Sequence, residues 1–203
     1  MMIKNIVFDI GSVLVEFIPE KVLQDMELPE DEVQTIAQYT AYSKYWSELD
    51  RGVIDKNEVI EKMLSELPSE YRKDAKLFFE KELLKAVKTF DYAKNWLKEL
   101  KESGYNIYLL TNYPDWMFDY HWENEFTFAP YIDGKVVSGK VKVLKPNPEI
   151  YNALLKKYKL NAKECVFIDD RAENIEAAKK LGFSGFVFTD FQKAKKLLSE
   201  MLR

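Results

Sequence analysis

Residues 3–11 read IKNIVFDIG, a short apolar run that is interrupted by Asp9 and ends at Gly11. An almost continuous apolar run of this length is typical of a strand buried on both faces of a parallel sheet. Ligands of open parallel sheets bind outside the carboxyl ends of the strands. The stretch therefore predicts a central strand with Asp9 at the functional edge of the sheet.

Three further apolar runs, at residues 106–110, 165–168 and 185–188, have the same character. Amphipathic helical patterns at residues 148–158 and 172–181 lie between them. Alternating buried strands and helices predict an α/β fold, in which a Rossmann-like parallel sheet carries helices on both faces. Turn signals at Asp133-Gly134 and Ser138-Gly139 predict a short hairpin or irregular excursion within residues 131–143.

The segment that follows the first strand differs from the rest of the chain. It has helical periodicity and many charges, and helices fit at residues 22–26, 31–45, 55–66 and 69–85. No run in it resembles the buried strands. We interpret residues 17–86 as a small all-helical cap, with residues 1–16 and 87–203 forming the catalytic core.

The composition of the 203-residue chain, 47% hydrophobic and 32% charged, is that of an ordinary globular protein. Its net charge of −4 disfavours a nucleic-acid partner, because binding a phosphate backbone needs a basic surface. The single cysteine, Cys165, excludes an internal disulfide and fits a reducing compartment. No apolar run approaches the ~20 residues of a membrane span, and we find no signal-peptide pattern. We expect a cytoplasmic protein with no membrane partner, and the oligomeric state stays open.

Polar side chains stand where the predicted strands end. Asp9 follows the first strand, Thr111-Asn112 the second and Asp169-Asp170 the third, while Lys145 precedes a predicted helix. Taken singly, a turn or a helix cap explains the aspartates and Thr111-Asn112, and Lys145 is most simply a surface lysine. Together they form a coherent phosphoryl-transfer site, in which a carboxylate attacks phosphorus and a hydroxyl and an ammonium hold the phosphoryl oxygens. Two adjacent carboxylates repel each other, and Mg²⁺, which prefers oxygen ligands, relieves that repulsion.

Four segments carry a resemblance to a known family: VFDIGSVLV (7–15), YLLTNYP (108–114), VLKPNPEIY (143–151) and VFIDDRAENIEAA (166–178). In type and order they resemble the four motifs of the haloacid dehalogenase superfamily. They are most similar to the group that contains the alpha-glucose-1-phosphate phosphatases and the phosphatase domain of soluble epoxide hydrolase. The resemblance implies a Mg²⁺-dependent hydrolase that removes phosphate from a small phosphorylated metabolite, such as a sugar phosphate, through an aspartyl phosphate.

The resemblance also implies a role for each matched position that handles the phosphoryl group. Asp9 is the nucleophile. Thr111 binds the phosphate with the help of the Asn112 backbone or side chain. Lys145 steadies both Asp9 and the phosphoryl group.

For the metal, the resemblance implies Asp9, Asp170 and the backbone carbonyl of Gly11 as ligands of Mg²⁺. Asp169 then orients Lys145 or a metal-bound water. Asn174 stands where many relatives carry a second acid.

The chain departs from the family pattern at Gly11, where most phosphatases of the superfamily carry an aspartate that protonates the leaving group. A general acid–base of this kind contributes about 10²–10⁴-fold to the rate. Three explanations are open. A cap residue supplies the proton, with Glu48 and Asp50 as the best candidates; or the leaving group, such as an anomeric hydroxyl or an acyl group, needs little protonation; or the enzyme is weak or vestigial.

Other residues of the predicted cap are candidates for the site entrance. Arg51 is a candidate contact for a substrate anion, although an ion pair or a helix cap explains it equally well. Four aromatic residues are candidates for lining the pocket, with packing inside the cap as the favoured explanation for most of them: Tyr39, Tyr42, Tyr45 and Trp46. The lone histidine, His121, lies in an aromatic stretch where packing is the expected role.

Three other functions use related residues. A response-regulator receiver domain has the same residue types but no cap, and its acidic pair follows the first strand. A 2-haloacid dehalogenase attacks carbon from the same aspartate without a metal, and Gly11 is compatible with it. A weakly active binding protein on the same fold is the remaining alternative, and assays of phosphate and halide release separate these functions.

Overall fold

The computed structural model describes residues 2–203. Seven strands occur within these residues: β1 (Asn5–Phe8), β2 (Val15–Phe17), β3 (Val87–Thr89), β4 (Asn106–Thr111), β5 (Gly134–Val137), β6 (Cys165–Asp169) and β7 (Ser184–Val187). Five of them form one sheet in the order β5-β4-β1-β6-β7, and all of its neighbouring strands run parallel. The remaining two, β2 and β3, form an antiparallel ribbon.

Eleven α-helices surround these strands: α1 (Pro19–Asp25), α2 (Glu30–Tyr39), α3 (Trp46–Arg51), α4 (Lys56–Glu66), α5 (Arg72–Leu77), α6 (Asp91–Glu102), α7 (Asp115–Asn124), α8 (Ser138–Val141), α9 (Pro148–Tyr158), α10 (Ala172–Lys180) and α11 (Phe191–Met201). Across residues 2–203, none of these helices is long and apolar enough to cross a membrane.

The central strand β1 sends its side chains alternately to the two faces of the sheet, as the period of a strand requires. Phe8 lies on one face, edge-on to Trp96 of α6 with ring centroids 5.0 Å apart. Val7 lies on the opposite face, in a second hydrophobic cluster with Leu154 of α9 and Ile175 of α10. Helices therefore cover both faces, and the predicted α/β fold is confirmed.

The chain leaves the sheet after β1 and returns to it after a helical insert, the segment from Pro19 to Ala86. The ribbon of β2 and β3 joins the start and end of this insert, with Phe17 opposite Val87. Buried side chains of the insert, such as Leu23 and Ile36, belong to the same hydrophobic cluster as Phe8. The insert thus shares one hydrophobic core with the sheet.

Two of the helices predicted for the insert are interrupted. The helix expected at residues 31–45 ends at Tyr39, and a separate helix, α3, begins at Trp46. The helix expected at residues 69–85 is divided into a 3₁₀ turn at Ser69–Tyr71, α5, a π-helical segment at Phe78–Glu82 and a second 3₁₀ turn at Leu83–Ala86.

The prediction of a short hairpin or irregular excursion within residues 131–143 is wrong, because this segment holds the parallel edge strand β5 and the short helix α8. The Asp133 carboxylate accepts a hydrogen bond of 2.8 Å from the Ile107 amide, so Asp133 fixes the start of the strand instead of making a turn. Gly134 is required by close packing, since a Cβ there would lie 2.3 Å from the Tyr158 ring. The glycine at position 134 thus marked a real constraint on the chain, but the constraint is close packing and not a turn.

His121 joins α7 to the end of the helical insert, in agreement with the packing role expected for it. Its Nε2 lies 2.8 Å from the Leu84 carbonyl oxygen, and its Nδ1 lies 2.8 Å from the Tyr113 hydroxyl. Burial lowers the pKa of His121, so the neutral ring donates to Leu84 and accepts from Tyr113.

Replacing His121 by phenylalanine is expected to destabilise the protein by about 2–3 kcal/mol, because two buried polar groups lose their partners. Urea denaturation measures this loss. Tyr120→Phe is the matched control on the same helix, since Tyr120 is exposed and its removal should change stability by less than about 0.5 kcal/mol. A loss for His121→Phe as small as that of the control would contradict a structural role for the histidine.

Candidate active site

The carboxyl ends of three adjacent strands, β4, β1 and β6, meet at one edge of the sheet. Asp9 directly follows β1, and Thr111 and Asp169 are the last residues of β4 and β6. The Asp9 amide donates a hydrogen bond of 2.9 Å to the Ile168 carbonyl, which fixes the backbone of Asp9 beside β6. Residues distant in the sequence are thus placed together by parallel pairing.

A fully buried lysine, Lys145, lies at the centre of this edge. Its Nζ is 2.8 Å from Asp9 Oδ1 and 2.7 Å from Asp169 Oδ2. Asp169 is completely buried, and it also accepts hydrogen bonds from the Asn174 amide and from the backbone of Arg171. With both of its oxygens engaged by protein donors, Asp169 anchors the lysine that contacts Asp9.

Asn112, which directly follows β4, holds the backbone of Lys145. Its Oδ1 accepts a hydrogen bond of 2.8 Å from the Lys145 amide, and its Nδ2 donates one of 3.1 Å to the Lys145 carbonyl. Both ends of the Asn112 amide are therefore occupied. A contact of Asn112 with a phosphate can come from its backbone or from the second Nδ2 proton, which the Lys145 carbonyl leaves free.

The Thr111 hydroxyl is buried and has no hydrogen-bond partner among residues 2–203. A buried unsatisfied hydroxyl costs about 1–3 kcal/mol. A polar ligand at the strand ends would remove that cost. Thr111 is therefore ready to donate to an oxygen of a bound molecule.

Negative charge is in excess at this edge. Asp9, Asp169 and Asp170 each place a carboxylate oxygen within 4.8 Å of the others, and Lys145 is the cation in contact with this group. Burial raises the pKa of Asp9 to about 7, Lys145 opposes this rise and Asp169 adds to it. Burial, and to a smaller extent the negative charge of Asp169, also raise the pKa of Asp170. Burial disfavours the charge on Lys145, but Asp9 and Asp169 outweigh it and raise the pKa of the lysine.

A cavity of about 350 Å³ opens beside these groups, between the sheet edge and the helical insert. Most of its lining is apolar or aromatic, and it comes from the β2–β3 ribbon, α3 and the segment that leads into α7: Val15, Phe17, Trp46, Val87, Tyr113, Pro114 and Met117. The rest of the lining is Gly11, Ser12, Asp50, Asn112 and Arg171.

The structure does not bring Arg51 into this cavity. Its guanidinium lies 3.7 Å from Glu48, and Arg51 lines a separate depression beside Pro146. Of the four aromatic candidates in the insert, Trp46 alone lines the cavity. Tyr39 and Tyr42 are exposed, and the Tyr45 hydroxyl donates to Glu66.

Sequence reasoning missed Arg171 and Phe17 as members of the site. Arg171 follows the Asp169-Asp170 pair directly, so its position after a strand end was a usable signal. Phe17 had no such signal, because its place in the lining depends on the pairing of β2 with β3.

A parallel sheet covered by helices, with an aspartate after its central strand and a buried lysine on that aspartate, places the chain among α/β proteins with a candidate site at the carboxyl ends of the strands. The chain belongs to the haloacid dehalogenase-like hydrolase family, whose model matches residues 3–182. The resemblance noted in the four sequence motifs is thereby confirmed at the level of the family.

Relatives with known roles cover almost the whole chain. It is 28% identical to the sesquiterpene phosphatase of Aspergillus oryzae over 92% of this chain and 90% of that protein. It is 30% identical to the D-ribitol-5-phosphate phosphatase of Bacteroides thetaiotaomicron, over 91% of each chain. A haloacid dehalogenase family enzyme from the same bacterium, solved as a magnesium complex, shares the fold with a TM-score of 0.74 and 24% identity, over 98% of this chain and 99% of that one. The chain is a phosphatase of this superfamily.

Proposed function

We propose that the enzyme is a Mg²⁺-dependent phosphatase that forms an aspartyl phosphate on Asp9 and acts on a small phosphate ester. The observation that carries this proposal is the contact of buried Lys145 with Asp9 inside a group of three carboxylates. The proposed site comprises Asp9, Thr111 and Lys145 for chemistry, Asn112 for substrate, and Asp9, Gly11 and Asp170 for the metal. Asp169 and Asn174 support Lys145, and the geometry of Arg51 favours an ion pair over the substrate contact considered for it.

The residues present fit a divalent cation. Within residues 2–203, both hydrogen-bond donors to the Asp9 carboxylate reach Oδ1, which leaves Oδ2 free for a ligand. Asp170 is half-buried next to Asp169, whose two oxygens are already occupied by protein donors. The three carboxylates together carry more negative charge than Lys145 balances. Mg²⁺ needs only one or two carboxylates, because it keeps several waters. When bound, it would neutralise charge on the phosphoryl oxygens during transfer.

Side chains of the protein perform the other roles in the reaction. Lys145 holds Asp9 in place and offers positive charge to the phosphoryl group, while Asp169 and Asn112 fix the lysine side chain and backbone. The Thr111 hydroxyl donates to a phosphoryl oxygen and so gains the partner that it lacks. Preorganised donors of this type contribute about 10²–10³-fold each to a reaction that develops negative charge.

Metal-independent dehalogenation remains the alternative reaction at Asp9. The excess of carboxylates favours the phosphatase, because a reaction without a cation has no use for the half-buried Asp170. An assay of phosphate release from phosphate esters, with Mg²⁺ or with excess chelator, tests the proposal. Release that requires Mg²⁺ supports it; halide release from a 2-haloacid in chelator, without phosphatase activity, would overturn it.

We infer the class of ester from the lining of the cavity. A sugar phosphate offers many hydroxyl groups, but most residues around the cavity are apolar or aromatic. Phe17 and Trp46 form one wall, with ring centroids 5.3 Å apart. Apolar pockets gain affinity from the burial of apolar surface. The lining therefore favours a phosphate ester of an apolar or aromatic alcohol over the sugar phosphate considered from the motifs.

With Mg²⁺ present, kcat/KM for benzyl phosphate is expected to exceed that for glucose 6-phosphate. Phe17→Ala should lower kcat/KM for benzyl phosphate by about tenfold, because the apolar wall contributes binding energy of about 1–3 kcal/mol. Tyr42→Ala is the control, an exposed aromatic residue of the same insert. If the wild-type enzyme prefers glucose 6-phosphate and Phe17→Ala leaves that preference unchanged, the assignment of an apolar or aromatic ester is contradicted.

The helical insert acts, in this proposal, as the cap that encloses the ester, with residues 17–86 as its domain. The partner is a small molecule in the cytoplasm, and neither a nucleic acid nor a membrane takes part. Size-exclusion chromatography and cell fractionation would test the assembly and the location.

A further inference from the structure

The site lacks a proton donor at the position two residues after Asp9, which is Gly11. A Cβ placed on Gly11 meets no atom within 4 Å, so the space beside it is open. The leaving oxygen of an unactivated ester needs a proton, and a general acid contributes about 10²–10⁴-fold. For efficient turnover of such an ester, another element of the fold has to supply that group.

Asp50, near the end of α3, lines the same cavity as Gly11. The charged groups that act on its carboxyl are Asp9 after β1, Lys145 before α9 and Arg171 after β6. No residue in the range 2–203 donates a hydrogen bond to this carboxyl. A carboxyl that lines this cavity together with Gly11, within range of the charges of Asp9 and Lys145 and without a partner of its own, is placed to exchange a proton with a substrate.

The protonation of Asp50 agrees with its position. Burial raises the pKa of Asp50 to about 7, the Asp9 carboxylate adds to the rise, and Lys145 and Arg171 oppose it. A carboxyl with this pKa is partly protonated at neutral pH, which is the condition for an acid that later works as a base.

The backbone of Asp50 is fixed to the core of the enzyme. The buried Ser138 hydroxyl donates a hydrogen bond of 2.5 Å to the Asp50 carbonyl and accepts one of 2.8 Å from the Tyr113 amide. Close approach of two glycines brings α3 onto α8: a Cβ on Gly52 would lie 3.0 Å from the Gly139 carbonyl oxygen. Ser138 is thus a positioning residue for Asp50.

We propose that Asp50 is the general acid and base of the phosphatase reaction, in the role that Gly11 cannot fill; this inference rests on the proposed function. In the first step the Asp9 oxygen bonds to phosphorus and the bond from phosphorus to the ester oxygen breaks. The Asp50 proton passes to that oxygen and the alcohol leaves. In the second step the Asp50 carboxylate takes a proton from water, whose oxygen bonds to phosphorus as the Asp9–phosphorus bond breaks. Phosphate leaves and Asp50 is protonated again.

Glu48, the other acidic candidate, is on the same helix but does not line the cavity, and its carboxylate pairs with Arg51. This difference makes Glu48→Gln the matched control for Asp50→Asn. Both variants remove one carboxylate from α3 without changing the size of the side chain.

The test compares two substrates that differ in their need for a proton, benzyl phosphate and 4-nitrophenyl phosphate, with Mg²⁺ present. Asp50→Asn is expected to lower kcat/KM for benzyl phosphate by about 10²–10⁴-fold and that for 4-nitrophenyl phosphate by less than about tenfold. Nitrophenol should appear as a burst, because hydrolysis of the aspartyl phosphate lacks its base. The alkaline fall of kcat/KM near pH 7 should disappear, and Gly11→Asp in the Asp50→Asn background should restore turnover of benzyl phosphate.

A second readout separates catalysis from folding. The pKa of Asp50 lies above its ordinary value of 3.8, so its stabilising contribution is present below about pH 4 and is lost as the pH rises through 7. Asp50→Asn should therefore raise Tm at pH 8 and change it less at pH 5. Glu48→Gln should alter neither Tm nor either substrate's kcat/KM appreciably.

The proposal is wrong if Asp50→Asn lowers kcat/KM equally for both substrates, if it lowers neither, or if Glu48→Gln has the same effect. Failure of the proposed function gives a different pattern: the wild-type enzyme then releases no phosphate that depends on Mg²⁺ and Asp9. Binding of beryllofluoride with Mg²⁺ should survive in Asp50→Asn and be lost in Asp9→Asn, so that a damaged site is distinguished from a missing acid.

Discussion

Replacement of Asp9 by asparagine is expected to lower kcat for every phosphate ester by at least about 10⁴-fold, the scale seen when a catalytic nucleophile is removed. The amide cannot form the bond to phosphorus that the carboxylate forms. The change keeps the size of the side chain, and it removes a buried carboxyl whose pKa burial has raised to about 7. The folded state should therefore persist, and phosphate release under saturating substrate measures the loss directly.

Asp25→Asn is the control for this variant, because Asp25 is an exposed residue of α1 that pairs with Lys21. It should keep full activity. An Asp9→Asn protein that is folded and retains a tenth or more of wild-type turnover would show that another group attacks the phosphorus.

The second large effect is expected for Lys145→Met, which should reduce both stability and turnover. The lysine side chain is fully buried between Asp9 and Asp169, and breaking a buried pair by removing one partner costs about 3–5 kcal/mol. Turnover should fall by about 10²–10³-fold, since a preorganised positive group is lost from the phosphoryl site. Chemical denaturation and steady-state kinetics measure the two losses separately.

The loss of stability in Lys145→Met should depend on pH. Burial already raises the pKa of Asp9, Lys145 opposes that rise, and its removal raises the pKa further. The cost of burying the ionised carboxyl therefore appears as the pH rises through about 7 and is smaller at pH 5, where the carboxyl is protonated. Lys142→Met, at an exposed lysine three residues away, should show neither loss, and equal destabilisation of both variants at all pH values would contradict the account.

The sequence was sufficient to predict the polar residues at the ends of three strands that meet at the sheet edge. Parallel strands bring their carboxyl ends together, so Asp9, Thr111 and Asp169 could be grouped from the positions of three apolar runs. Lys145 joined this group through its position before a predicted helix, and the family motifs gave it a role; the structure places it on Asp9.

Features that depend on tertiary contacts were not predictable in the same way. The amide of Asn112 holds the Lys145 backbone, a contact between residues 33 positions apart that no local pattern signals. The glycines at 134 and 139 looked like turn residues, whereas close packing against Tyr158 and Asp115 requires them. Sequence reasoning named both Glu48 and Asp50 as acids, and only the docking of α3 on α8 distinguishes Asp50, which lines the cavity beside Gly11.

The central claim is that Asp9 carries the phosphoryl group during turnover. Borohydride reduces an acyl phosphate, so treating the enzyme with borohydride during hydrolysis of 4-nitrophenyl phosphate should convert Asp9 to homoserine, which peptide mass spectrometry detects. We predict modification at Asp9 alone, only with substrate and Mg²⁺ present, and in higher yield in Asp50→Asn. Rapid phosphate release with Asp9 unmodified, or modification of a different residue, would contradict the claim.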